Sequence, residues 1–493
     1  MRGRVYRGTP EAMALYQPSV APKPLQILGV PLGNYTYMAD LMFFHPHLID
    51  SKTTSVTITG EQGAGKSTFA KSMVRRCSLL QARDPLGNPE YWRTRIMSRR
   101  SENGIAEYGP TAESLHATFF KIGKGRRINL IGLLKSPTSI ISATVGMIQD
   151  IGKQYDNIQI APAVLIAVTR ILNEKPELVG ERLIAEALRG LVMKDFDEYY
   201  KEGRRQLEKD FEQEFKRTPK LREQLRLDAT ITHVDLSFLE TASHAAKCLD
   251  RLMGPEYGDA FGGKESLYEI LIQRVALLDT EDIPGLANAF LEAVIMQAEN
   301  DGVQYNVNDI GTNLDLSRTI PHLYISDEEG TAAKGLFHLR TQANGQATVR
   351  KRATSHWRMY QFGMQITEAG SAGSEMRALG KEIDLGVGIR FFMRQSDDSD
   401  VLHEIAKLPG MTEELVAQMP YFEPGEGVLW IRNREPVRFQ HRLLESEIPL
   451  VQSDASRDRL RNIQPIDEMP GYYERLAKLE AHRAKQLTRD TRP

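Results

Sequence analysis

Cysteine is nearly absent: Cys77 and Cys248 are the two in 493 residues, too few for a disulfide scaffold or a four-ligand zinc site. That scarcity points to a reducing compartment. No stretch approaches the ~18–20 apolar residues of a membrane-spanning helix. The opening Met1-Arg2-Gly3-Arg4 has no apolar run behind its charges, so no signal peptide is readable. Charge of one sign is missing as well, since 63 Lys plus Arg stand against 65 Asp plus Glu, a formal −2. Contact with nucleic acid or a membrane must therefore come from local patches. There are no internal repeats and no low-complexity tract. What is present, 41% hydrophobic and 26% charged, suits a globular chain of two to three domains, or one large domain with insertions.

Residues 1–24 are rich in Pro and Gly and read as an extended arm, followed from Leu25 to Phe44 by short strands with a turn at Gly33-Asn34. The β-branched run Ser55-Val-Thr-Ile-Thr59 predicts a buried strand, and a helix should follow from Lys66 to about Leu80. After a basic turn, Lys124-Gly125-Arg126-Arg127, comes the apolar run Ile128 to Leu134. Residues 137 to about 255 read as mostly helical. Within them, Tyr199 to Leu227 is dense in Glu, Lys and Arg and reads as a solvated helical hairpin, its acids offsetting its bases. Apolar runs return at Val275 to Leu278, His322 to Ile325 and Ile389 to Met393. Strand, helix and strand with a helical insertion imply an α/β sheet domain. The expected organisation is an N-terminal arm with short strands over 1–50 and the first part of the core over 51–136. A helical insertion over 137–265 and the second part of the core over 266–450 follow. A helical tail over 451–493 closes the chain, ending in a charged helix from Tyr472 to Thr488.

The chemistry is concentrated in Gly60-Glu61-Gln62-Gly63-Ala64-Gly65-Lys66-Ser67-Thr68, which satisfies G-x-x-x-x-G-K-[ST]. Gly-rich backbone can curl so that successive N–H groups converge on a β-phosphate, and the helix that follows adds its positive N-terminus. Lys66 should reach the β- and γ-phosphates, and the Ser67 hydroxyl should ligate Mg²⁺. A second carboxylate site should serve the metal and the attacking water. The strand His322 to Ser326 ends in Asp327-Glu328-Glu329: Asp327 is placed behind the Mg²⁺, and Glu328 as the general base that polarises water. Glu329 is the rival for the base. The run ending at Asp279 also closes on an acid but lacks the adjacent glutamate. An Asp–Glu pair suits hydrolysis by water better than a small-molecule kinase, and no Asn-Lys-x-Asp segment for reading guanine occurs, so ATP is the expected nucleotide. Downstream, the run Trp357 to Met364 leads into Gln365, a candidate γ-phosphate sensor. Arg350 or Arg352 could project from the start of that run as a finger into a neighbouring subunit, or form a basic surface turn.

With these residues in hand, the chain resembles the conjugation ATPases of type IV secretion systems (TraC-like), in the HerA/FtsK group of RecA-like motors. Besides the two nucleotide motifs, the likeness rests on several segments in the same order. They are Gly29-Val-Pro-Leu-Gly33, Arg127-Ile-Asn129-Leu with Leu130 in place of the family's proline, and Leu252 to Gly263. Ala372 to Leu379, Arg390 to Gln395 and Gly427 to Arg432 complete the set. The resemblance covers about Gly29 to Ile448. It implies a RecA-like P-loop NTPase core, a mainly parallel sheet flanked by helices, and a homo-oligomer, a hexameric ring. It also implies ATP with Mg²⁺, a membrane-associated secretion complex as partner, and DNA or protein as cargo. The expected location is cytoplasmic or peripheral at the inner face of the cell membrane. A DNA translocase of the coupling or packaging kind, or an ATP-regulated assembly platform, would share the same nucleotide residues.

Overall fold

A computed structural model describes residues 29–36, 41–47, 54–83, 88–98, 101–102, 105–123, 126–152, 160–176, 179–191, 236–307, 320–327, 335–349, 353–361, 364–367, 371 and 373–451. The arm over 1–24, the charged hairpin from Tyr199 to Leu227 and the tail beyond Val451 lie outside the described residues.

One sheet of eleven strands organises the chain. In chain order its strands are β1 (Val30–Tyr35), β2 (Leu41–Phe44), β3 (Val56–Thr59), β4 (Arg93–Ser98), β5 (Thr118–Lys121) and β6 (Val275–Asp279). They continue with β7 (His322–Ser326), β8 (Thr354–Tyr360), β9 (Ile389–Phe392), β10 (Glu426–Ile431) and β11 (Val437–His441). Their order across the sheet is β2-β1-β11-β10-β9-β3-β8-β7-β4-β6-β5. From β9 through β5 neighbouring strands run parallel, whereas β10, β11, β1 and β2 add an antiparallel flank.

The apolar runs of the central strands are continuous because both faces are covered. Alternate side chains enter different layers. Ile96, Val275, Leu277, Leu323 and Ile325 join one core, and Met97, Ala276, Leu278 and Tyr324 join the other. The first core is closed by helix α1 (Lys66–Ser78) through Phe69, Met73, Val74 and Cys77. The second is built largely from α2 (Pro137–Gly152), α3 (Ile160–Glu174), α4 (Glu181–Leu191), α5 (Leu236–Leu252) and α6 (Gly285–Val307). In α4 the buried Ile184, Ala185, Leu188 and Leu191 recur at helical spacing and make one apolar stripe. Among the described residues, no helix is long and apolar enough to cross a membrane.

One local reading needs correction. Gly33-Asn34 is not a turn: both residues lie inside β1, where Gly33 pairs with His441 and Asn34 with Gln440. A Cβ on Gly33 would stand 1.9 Å from the Gln440 carbonyl oxygen, so glycine is required there by the close approach of β11. The run Ile128 to Leu134 makes a single bridge at Ile128 and a 3₁₀ turn over Ile131–Leu133. The side chain of Asn129 occupies the gap, donating to the Val179 carbonyl at 2.7 Å and accepting from the Gly132 N–H at 2.9 Å.

Candidate functional site

The strand β3, the loop Gly60–Gly65 and helix α1 follow one another without interruption. Gly63 and Gly65 take φ of +79° and +89°, a region that side chains enter only with strain, and Gly65 stands immediately before the first helical residue. Curling of this kind turns the loop's N–H groups inward at the helix N-terminus. Lys66 folds back over the loop, its Nζ donating to the carbonyls of Gly60 at 2.6 Å and Glu61 at 2.8 Å. Ala64 is buried and anchors the loop, Gln62 and Gly63 are exposed at its tip, and Ser67 and Thr68 are partly exposed in the first turn of α1.

The loop is braced from the end of β9. The Met393 N–H donates to the Thr59 carbonyl and the Glu61 N–H to the Arg394 carbonyl, both at 2.9 Å. Arg394 Nε also donates to the Glu61 carboxylate. The Gln395 amide, itself buried, donates to the Thr59 carbonyl at 3.1 Å. None of these three residues was given a role by the motif, since their place depends on β9 being the strand beside β3.

Asp327 directly follows β7, and only β8 separates β7 from β3. At the usual strand spacing, the two lie roughly 10 Å apart, whereas β6, ending in Asp279, lies roughly 19 Å from β3. Asp327 is 6% exposed, and its N–H donates to the Met97 carbonyl at 3.4 Å. Tyr108 is buried close by; its phenol is pushed upward first by burial and then by the charges of Asp327 and Glu107. Lys71 of α1 pairs with Glu107 at 3.1 Å, so a buried ion pair ties the loop's helix to this same corner.

Glu328, Glu329, Arg350 and Arg352 lie outside the described residues. Gln365 falls in the short helix α8 (Met364–Thr367) rather than at a strand end. The residue immediately after β8 is Gln361, which is exposed. Among the described residues no group of three or more His, Cys, Asp or Glu side chains is gathered to hold a metal. The donor set that remains, one hydroxyl and one buried carboxylate beside a phosphate-shaped loop, suits a Mg²⁺ that keeps waters and phosphate oxygens as its other ligands.

No family model matches the chain, and no curated protein matches it. Among solved structures, VirB4 of Thermoanaerobacter pseudethanolicus is similar, with a TM-score of 0.53 at 14% identity over 85% of this chain and 98% of that one. The bacterial conjugative coupling protein TrwB, in its unbound monoclinic form, gives a TM-score of 0.47 at 11% identity over 78% of this chain and 84% of that one. TrwB in complex with the non-hydrolysable ATP analogue ADPNP gives 0.48 at 12% identity over 88% and 92%. The likeness to VirB4 is one of fold: the chain shares its RecA-like P-loop fold, a large, mainly parallel sheet flanked by helices.

Proposed function

We propose that the chain is an ATP-hydrolysing motor, converting ATP and water to ADP and phosphate, that energises conjugative, type IV secretion transfer of DNA or protein. The observation that carries the reading is the pairing of the Gly60–Gly65 loop, capped by Lys66, with a buried Asp327 two strands away. The loop's N–H groups and the Lys66 ammonium hold the phosphates, while Ser67 and Asp327 would hold a Mg²⁺, whose charge would offset that of the phosphates. Glu328 orients water and takes its proton. Gln365, carried on the short helix after β8 rather than at the strand end, senses the γ-phosphate from within the subunit. Arg350 or Arg352 acts across a subunit boundary, which makes a ring, a hexamer, the working assembly. The transfer role rests on the ordered segments that resemble those of conjugation ATPases and on the fold shared with VirB4. A membrane-associated secretion complex on the cytoplasmic side is the partner that this role requires.

The test is Lys66→Ala. It should abolish hydrolysis and weaken ATP binding, because the phosphates lose the ammonium that meets them. Wild-type turnover in that variant would overturn the assignment of the loop. DNA-stimulated hydrolysis with a steep salt dependence would move the reading to a DNA translocase.

A further inference from the structure

A cluster of buried polar side chains stands directly behind the end of β7. Glu292, from the middle of α6, is fully buried and collects three partners. Its Oε1 accepts from the Ser326 hydroxyl and from the Asn288 amide, each at 2.9 Å, and its Oε2 lies 3.1 Å from His338 Nε2. Ser326 is the last residue of β7 and the immediate neighbour of Asp327; His338 lies in the first turn of α7 (Leu336–Val349). Gln342, one turn further along α7, places its Nε2 3.0 Å from the same His338 nitrogen. The start of α7 is fixed a second time, because the Asp150 carboxylate of α2 accepts from the N–H groups of Leu336 at 2.9 Å and Phe337 at 3.0 Å. The segment that joins Asp327 to α7 contains Glu328.

Taking a carboxylate out of water is expensive, and apolar side chains of similar volume would fill the same space at no loss of stability. What apolar side chains could not supply is a directional hold on two separate backbones. Glu292 clamps the end of β7 and the beginning of α7, the two ends of the segment that carries the acidic residues. We propose that Glu292 is a positioning residue for the Mg²⁺ carboxylate: through Ser326 and His338 it fixes where Asp327 stands. The inference rests on the nucleotide-site reading above and adds to it a buried residue that touches neither nucleotide nor metal.

Partners that orient a metal ligand commonly contribute 10–100-fold to metal affinity. Glu292→Gln should therefore raise the Mg²⁺ concentration for half-maximal binding of a fluorescent ATP analogue by about tenfold or more, while affinity measured in EDTA stays at the wild-type value. Ser326→Ala, which removes one hydroxyl and leaves Glu292 in place, should move the same midpoint by a smaller factor and keeps the test open should Glu292→Gln fail to fold. A merely structural role would lower the melting temperature and leave the Mg²⁺ midpoint unmoved, and that result, in whichever variant folds, overturns the proposal. Asp327→Ala separates the two layers of argument. If it too leaves the Mg²⁺ midpoint unmoved, the metal site itself is misplaced; if it shifts the midpoint and Glu292→Gln does not, only the positioning role fails.

Discussion

Arg394 holds Glu61 twice: its Nε donates to the Glu61 carboxylate, and its carbonyl accepts the Glu61 N–H at 2.9 Å. Glu61 belongs to a loop shaped for anions, where a bare carboxylate would repel a phosphate. Arg394 supplies the compensating charge from the end of β9, with its side chain 26% and that of Glu61 35% exposed, so solvent moderates the pair. Arg394→Ala should weaken nucleotide binding by roughly three- to tenfold, about 1 kcal/mol. Adding Glu61→Gln should recover most of that loss, because the repulsion then disappears with the charge. Calorimetric titration of both variants with an ATP analogue checks this; a double variant no better than the single one would show that Arg394 acts otherwise than by neutralising Glu61.

Glu181 makes stability depend on pH in an unusual direction. It opens α4 and accepts the Ile131 N–H at 2.8 Å, while its burial pushes the carboxyl from 4.5 up to about 7 against the pull of its backbone donors. Between about 4.5 and about 7, the folded chain holds this proton and the unfolded chain does not. The contribution of Glu181 is thus complete below the unfolded value and is lost as pH rises through the folded one, with a slope of at most about 1.4 kcal/mol per pH unit. Urea midpoints measured across that window should fall more steeply with rising pH in the wild type than in Glu181→Gln. Equal slopes would exclude Glu181 as the source.

The phosphate loop and the strands around it are legible in the sequence because both rest on local rules. Glycine at the positive-φ positions, β-branched residues before them and a helix former after them suffice to place β3, the loop and α1. The apolar runs at Val275, His322 and Ile389 become strands of a sheet covered on both faces, whereas the equally short and apolar run Ile128 to Leu134 forms a 3₁₀ turn, so such a run marks a buried segment more surely than its type. Gly33 shows where that reasoning stops. A glycine followed by asparagine signals a turn when nothing lies above it, but here β11, some 400 residues later, presses on the position. Arg394, Gln395, Tyr108 and Glu292 are illegible for the same cause. Each matters because of which strand or helix lies beside it, and the order β9-β3-β8-β7 joins segments hundreds of residues apart. The segment before Gln365 shows the same limit on a smaller scale: β8 ends at Tyr360 and Gln365 falls in the short helix Met364–Thr367, so the run Trp357 to Met364 overstates the strand.

The arginines that precede β8 in the sequence should work in trans. Under the ring reading, Arg350 or Arg352 completes the site of a neighbouring subunit, as an arginine finger does for the charge that develops on the transferred phosphoryl group. Arg350→Ala/Arg352→Ala protein and Lys66→Ala protein should each be inactive alone. Mixed, they should regain part of the wild-type turnover, since a hybrid ring contains boundaries at which an intact loop meets an intact arginine. With mixed assembly verified by crosslinking, no gain in turnover would return both arginines to a surface turn.

Binding and chemistry should separate at the two neighbouring acids. Asp327, buried at the end of β7, is assigned to the metal, so its loss should reduce both ATP affinity and turnover. Glu328 is assigned to the attacking water alone. Glu328→Gln keeps the shape and most of the hydrogen-bonding capacity of the side chain but cannot take a proton. General-base contributions run to roughly 10²–10⁴-fold, about 3–5 kcal/mol of barrier. The variant should therefore bind ATP with Mg²⁺ about as tightly as the wild type and hydrolyse it at least ~100-fold more slowly. If ATP drives ring assembly, the same variant should accumulate as the ATP-bound oligomer, visible as a shift in size by light scattering. Glu329 is the rival, whose side chain should point away from that of Glu328 if the strand geometry of β7 persists to that position. Near-normal turnover in Glu328→Gln together with loss in Glu329→Gln would move the base by one residue and with it the register of the whole acidic segment.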